Sequence, residues 1–169
     1  MIAILVVCGL VALQRLLELR YADRNTRALL ARGAIETGAA HYPFFILLHG
    51  AWLLCTAVVA LATHAATNWW LIGLFAALQA ARIWVIATLG PYWTTRLISL
   101  PGAPLVRSGP FRFVRHPNYL IVTIEIATLP LAFGEYPVAI GFTLLNAALL
   151  AVRIREEERA LARRPVGQT

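Results

Sequence analysis

The sequence predicts an all-α integral membrane protein of about five transmembrane helices, the last two forming a tight helical hairpin. Composition predicts it first: 60% of the 169 residues are hydrophobic, against roughly 45–50% in soluble domains. Length predicts it second. A spanning helix needs roughly 20 mainly apolar residues, and five segments approach that, at about 2–19, 43–63, 69–89, 118–133 and 137–152. The third observation is the arginines, which gather beside the apolar runs and avoid every second connection.

The first segment begins Met-Ile-Ala-Ile-Leu with no cationic stretch ahead of it, so it reads as a retained helix, not a cleaved leader. Residues 20–40 then carry Arg20, Arg24, Arg27 and Arg32. The connection 90–117 carries Arg96, Arg107, Arg112 and Arg115, and the tail carries Arg155, Arg159, Arg163 and Arg164. The turns near 64–68 and 134–137 carry no arginine. With the N-terminus outside, five helices place all three arginine-rich segments in the cytosol. The expected location is the inner membrane, multi-pass. The last two segments are short and joined only by Gly134-Glu135-Tyr136-Pro137, which suits a hairpin.

Net charge is +7, and all 15 basic residues are arginine. Because they flank apolar spans, membrane topology explains them better than nucleic-acid binding. Cys8 and Cys55 lie in apolar runs and read as small hydrophobes, and the four histidines lack metal-ligand spacing. No Ser/Gly-rich linker divides the chain, so one domain over 1–169 is expected. It comprises N-terminal helices and loop over 1–68, a core over 69–162 and a tail over 163–169.

Two segments carry chemistry. Gly109-Pro110-Phe111-Arg112-Phe113-Val114-Arg115-His116-Pro117-Asn118-Tyr119 runs from a polar loop into the fourth helix. Pro101-Gly102 suits a type II turn, and Gly109-Pro110 marks another. Pro117 suits the first turn of a helix, where its missing N–H costs nothing, and His116 before it should be extended. The second segment, Arg153-Ile154-Arg155-Glu156-Glu157-Glu158, closes the last helix. Asn146, Arg153 and Glu157 are spaced by seven and four residues and share one helical stripe. That stripe lines a pocket or is an ordinary solvated charge run. Inside the spans, Arg15, Glu18, Gln79, Arg82 and Glu125 are costly unless they face the bundle interior. Arg82 and Glu125 either pair across helices or line a path. The five tryptophans read as interfacial belt or packing residues.

The pattern Gly-Pro-Phe-Arg-x-x-Arg-His-Pro-x-Tyr over 109–119, followed by Arg-x-x-x-Glu-Glu over 153–158, resembles the isoprenylcysteine carboxyl methyltransferase family. The resemblance covers roughly residues 70–162. It implies a membrane enzyme that uses S-adenosylmethionine without a Rossmann domain, in a cytosolic pocket formed by the 90–117 loop and the C-terminal helix. Gln14-Arg15-x-x-Glu18, Arg24-Asn25, Gly33-Ala34-x-Glu36 and His41-Tyr42-Pro43 resemble a bacterial branch. Some of its members methylate a ring hydroxyl of alkylpyrones or alkylresorcinols beside type III polyketide synthases. By this resemblance Ala103, Pro104, Leu105, Val106, Phe111, His116, Pro117, Asn118, Tyr119 and Glu157 contact the cofactor. Arg153 and Glu157 are the catalytic pair, Arg153 positioning the acceptor; the shared stripe, not the resemblance, adds Asn146 to Arg153 as an expected acceptor-binding residue. Phe111 stands where the family often has Tyr, and Ile121 where Gly is common.

The reaction implied is S-adenosylmethionine-dependent O-methylation of a lipophilic acceptor entering from the bilayer, most simply an alkylpyrone-type ring hydroxyl. Carboxyl methylation of an isoprenylcysteine-like substrate is the alternative. Two readings from other classes are a small transporter built on Arg82 and Glu125, and a non-enzymatic assembly partner.

Overall fold

The computed structural model describes residues 2–103 and 106–162, with side chains at the C-terminal end as far as Glu157. Pro104 and Leu105, expected in the cofactor strip, lie outside the described residues, as does the tail 163–169. The elements are α1 (Ile2–Ala31), β1 (Ile35–Thr37), α2 (Tyr42–Ala62), α3 (Trp69–Leu89), β2 (Leu97–Ser99), α4 (Pro117–Leu131) and α5 (Tyr136–Ala162). Among the described residues, four helical stretches are long and apolar enough to cross a membrane: Ile2–Ala31, Ala39–Ala62, Trp69–Tyr92 and Tyr136–Glu157. The protein is an all-α membrane protein, and leucines such as Leu10, Leu47, Leu54 and Leu144 face outward, as lipid requires. The fifth helix, α4, has 15 residues and is therefore about 22 Å long. That is short of the roughly 30 Å hydrocarbon layer, and α4 is enclosed by α3 and α5, its main packing partners.

The helices are longer than their apolar runs. The first extends twelve residues past the expected boundary at 19, so Arg20, Arg24 and Arg27 are helical and not in a loop. Arginine, alanine and leucine are good helix formers, and Asp23 and Arg27 pair at 2.7 Å one turn apart. What stops α1 is Gly33 at φ 86°. The Gly33 N–H reaches Leu30 O at 3.0 Å and the Ala34 N–H reaches Leu29 O at 3.1 Å, closing a Schellman motif. The last helix likewise runs ten residues past 152, carrying Arg153 and Glu157 on rigid helix. A small antiparallel ribbon departs from the all-helical expectation, with Ile35 opposite Ser99 and Thr37 opposite Leu97. Three-residue strands are too short to show a period of two in sequence.

One core runs through the bundle: Ile4, Cys8 and Val11 of α1, Leu48 and Trp52 of α2, Phe75 of α3, and Val122, Ile126 and Leu129 of α4. A gap that a proline opens in its backbone bonding is filled. Pro130 lies inside α4 and has no N–H to offer Ile126 O four residues back. The buried Trp52 indole N–H donates to that carbonyl instead, at 3.0 Å, so this carbonyl is not left orphaned in hydrocarbon. Trp52 and Trp93 are therefore packing residues, whereas Trp69, Trp70 and Trp84 are exposed where a belt residue would be.

The end of the bundle away from the arginines is held by the Asn68 N–H on Ala132 O at 2.7 Å. There the α4–α5 turn buries Glu135, only 4% exposed. Neither carboxyl oxygen has a hydrogen-bond partner among the described residues. Burial pushes its pKa from 4.5 up to about 7. A carboxyl whose folded pKa is raised stabilises the fold below its unfolded pKa and loses that contribution as pH rises through the folded one. Wild-type protein is therefore expected to lose on the order of 3 kcal/mol between pH 4.5 and 7.5 from this group. Glu135→Gln, neutral throughout, should show a smaller fall of thermal midpoint over that range and be the more stable protein at pH 8. Parallel pH profiles for the two proteins would refute the assignment.

Candidate functional site

The first two arginine-bearing segments and the described end of α5 meet at one end of the bundle, where the chain between α3 and α4 folds over the helix ends. Three N-terminal residues hold it there. Asn25, buried on α1, donates from its amide to Gly90 O at 3.1 Å and Trp93 O at 2.9 Å. The Tyr42 hydroxyl meets Thr95 Oγ1 at 3.0 Å, and Glu36 of β1 pairs with Arg96 at 3.3 Å. Arg96 also lies over the Tyr42 ring, 4.9 Å from its centroid. Further along, Gly109 adopts φ 55° beneath α3, and a Cβ there would come 2.6 Å from Thr88 Oγ1. Only glycine satisfies both the backbone and the close approach.

Under this loop lies a cavity of about 970 Å3, at the top of the roughly 300–1,000 Å3 range of small-molecule pockets. Ala103, Val106, Phe111, His116, Pro117, Asn118, Tyr119, Arg153 and Glu157 all line it. Pro117 is the first residue of α4, as expected; His116 ahead of it, at φ −127°, ψ 66°, is non-helical but falls short of the extended conformation expected for it. Asn146, expected beside Arg153 in acceptor binding, is not on the cavity wall. Two turns deeper on α5, it is fully buried and donates to Thr123 Oγ1 at 3.3 Å. The common stripe of Asn146, Arg153 and Glu157 exists, but α4 covers its inner end.

The chemistry concentrates where α4 meets α5. Arg153 Nε donates to the Tyr119 hydroxyl at 3.0 Å, and that hydroxyl donates to Glu157 Oε2 at 2.9 Å. Arg153 NH2 reaches Thr95 O at 2.9 Å, tying the overlying loop to α5, and its guanidinium stands 5.2 Å from the Phe45 ring. His116 stacks on Tyr119, ring centroids 5.2 Å apart, with Nδ1 3.8 Å from Glu157 Oε2. Among the described lining residues, Arg96, Arg107, Arg112, Arg115 and Arg153 face a single carboxylate, Glu157. The wall is thus strongly cationic, and it suits a ligand carrying negative charge.

Below the cavity floor, the polar residues of the spans form one network. Arg15 NH2 meets Glu125 Oε2 at 2.7 Å and Arg15 NH1 meets Glu18 Oε2 at 2.9 Å. Arg82 NH2 meets Glu18 Oε2 at 2.8 Å and its NH1 lies 3.7 Å from Glu125 Oε2. Gln79 donates to Glu125 Oε1 at 2.8 Å. Two cations and two carboxylates balance, which is the arrangement that makes buried charge tolerable. The expected Arg82–Glu125 pair is present as the longest contact of this quartet, which locks α1, α3 and α4 together.

Sequence reading did not single out Thr95, Phe45 or Trp93 for the site. Thr95 acts through its carbonyl and Phe45 through its ring face, and neither role has a residue-type signature.

These features define a helical membrane protein with a polar, cofactor-sized cavity at the arginine-rich end of its bundle, and among the described residues no His/Cys/Asp/Glu grouping for a metal. Residues 71–163 match the sequence model of the isoprenylcysteine carboxyl methyltransferase (ICMT) family. That match spans the loop, α4 and α5, the elements that build the cavity, and the chain belongs to this family. It is accordingly a membrane methyltransferase, of a family that uses S-adenosylmethionine. Two bacterial relatives align over most of their length. The uncharacterized protein YpbQ of Bacillus subtilis (strain 168) is 38% identical over 164 residues, covering 95% of this chain and 94% of its own. An uncharacterized protein of Haemophilus influenzae is 31% identical over 154 residues, 88% of each chain. No solved structure matches.

Proposed function

We propose that the protein is an S-adenosylmethionine-dependent O-methyltransferase whose acceptor is a lipophilic molecule with an acidic hydroxyl, of the alkylpyrone or alkylresorcinol type. The observation that carries this is the Arg153–Tyr119–Glu157 chain of hydrogen bonds inside a cationic cavity large enough for a cofactor and an acceptor headgroup. The residues present fit the cofactor: one carboxylate, Glu157, for its cationic end, and polar His116 and Asn118 beside it on the same wall. Held there, S-adenosylmethionine would supply a methyl activated on a cationic sulfur, the new O–C bond forming as the C–S bond breaks and leaves a neutral thioether.

The chain's own residues then have positioning work to do. Glu157 attracts the cationic end, and the Tyr119 hydroxyl donated to it at 2.9 Å holds its carboxylate in place. Arg153, with its charge over the cavity, orients the acceptor anion. A pyrone enol, acidic enough to enter ionised, leaves its proton with water and needs little help from a base. Leu89, Val106, Phe111 and Val114 of the lining exclude water. The acyl tail stays in the bilayer, reached between helices. The arginine distribution supports an inner-membrane orientation with the N-terminus outside and the cavity and C-terminus in the cytosol. The acceptor chemistry supports a functional link to a type III polyketide synthase.

The family's name favours one other acceptor, the carboxylate of an isoprenylcysteine, which the same arginines suit equally. One experiment tests both. Detergent-purified protein is titrated calorimetrically with S-adenosylhomocysteine, then assayed with labelled S-adenosylmethionine on alkylpyrones and prenylcysteines. Saturable binding and a base-stable methyl ether are expected. A base-labile methyl ester in place of the ether would transfer the assignment to the carboxyl acceptor. Folded protein that binds no S-adenosylhomocysteine would refute both.

A further inference from the structure

Asn118 lines the cavity, half-buried, as the second residue of α4. Its side chain is an amide, which can turn either its oxygen or its NH2 toward a ligand. Arg82 decides which. Arg82 NH1 lies 3.2 Å from Asn118 Oδ1, and a guanidinium has only donors to give. The amide must offer its oxygen to Arg82, so its NH2 is turned to the other side, where the cavity lies.

Arg82 itself has no freedom to move away. Its Nε donates to both Glu18 oxygens, at 3.0 and 2.9 Å. Its NH2 meets Glu18 Oε2 at 2.8 Å, and its guanidinium stacks 5.8 Å from the centroid of Trp93, another wall residue. It is 6% exposed and is absent from the described cavity lining. Swinging it out would strand Glu18 in the bundle interior.

We infer that Arg82 is a positioning residue of the cofactor site: it locks the Asn118 amide with its NH2 group facing the cavity, where that group donates to an acceptor atom of the cofactor. The inference rests on the cofactor reading above. It gives the buried quartet a second role besides holding helices together, since the same guanidinium that neutralises Glu18 also sets the polarity of one wall of the cavity.

Binding of S-adenosylhomocysteine, measured by calorimetry, tests it. Asn118→Asp keeps an oxygen for Arg82 but replaces the donor by a second acceptor. Its thermal midpoint should not fall below wild type, while its affinity should drop about 10- to 100-fold. Asn118→Ala should lose a similar factor. Arg82 is removed together with Glu18, as Arg82→Gln with Glu18→Gln, which leaves the 2.7 Å Arg15–Glu125 pair and a neutral network. That double variant should weaken binding in the wild-type background and add nothing in the Asn118→Ala background, because the two act as one unit. Equal penalties in both backgrounds would overturn the inference, as would Asn118→Asp binding like wild type. Folded wild-type protein without any binding would overturn the cofactor reading, and this inference with it.

Discussion

Arg153→Gln is expected to lower kcat/KM for methyl transfer by about 10²–10³-fold, the scale of losing one preorganised charge-stabilising donor in an active site. Affinity for S-adenosylhomocysteine should change far less, because Glu157 and the wall on α4 remain. The geometry explains the size. Arg153 joins three parts of the site at once, by the Tyr119 hydroxyl at 3.0 Å, the Thr95 carbonyl at 2.9 Å and the Phe45 ring at 5.2 Å. Glutamine is shorter and neutral, and it reaches none of these pairs together. Arg153→Lys restores the charge but not the forked geometry and should recover part of the rate. Initial rates with labelled methyl donor, beside calorimetric binding, check the split. Kcat/KM within tenfold of wild type for Arg153→Gln would remove Arg153 from the acceptor site.

The second large effect is on stability. Glu125→Leu should destabilise the protein by about 3–5 kcal/mol, the usual cost of breaking a buried ion pair from one side. Glu125 is 1% exposed and partners Arg15 at 2.7 Å, Gln79 at 2.8 Å and Arg82 at 3.7 Å. Without it, two guanidinium groups share Glu18 and one positive charge is left over in the bundle interior. The thermal midpoint in detergent should drop by roughly 6–20 °C. Arg15→Leu added to Glu125→Leu removes the stranded charge and should recover most of that loss, since apolar replacement of a whole buried pair is often neutral. A drop of only a degree or two for Glu125→Leu alone would mean that these charges are hydrated and the network is open to water.

Much of this architecture was legible one residue at a time. Each apolar run of about twenty residues became a helix, Pro117 opened α4, and Gly134 closed the turn into α5. The described positions carried over from the family pattern line the cavity, whereas Asn146, expected from helical spacing, does not. Helix ends were less legible. Both α1 and α5 continue as charged, solvent-side helix beyond the apolar stretch, because hydropathy reports where lipid ends and not where backbone hydrogen bonding ends. The motifs Arg24-Asn25, Gly33-Ala34-x-Glu36 and His41-Tyr42-Pro43 stood out in sequence without an evident purpose. Asn25, Glu36 and Tyr42 turn out to hold the loop over the cavity, and Gly33 ends α1 where that support begins.

By itself, then, the sequence determined the number and order of the helices, the sharp turns, and the gathering of arginines at alternate connections. These are local or one-dimensional properties: transfer of apolar side chains, backbone preferences of proline and glycine, and counts of charge along the chain. Only the tertiary structure decided which polar groups meet. Arg15 finds Glu125 across 110 positions, Arg82 finds Asn118 across 36, and Trp52 supplies the hydrogen bond that Pro130 withholds from Ile126. Such pairings depend on the rotation and depth of each helix, which are set when side chains close-pack. Close-packing is a property of all the helices together and is written at no single position.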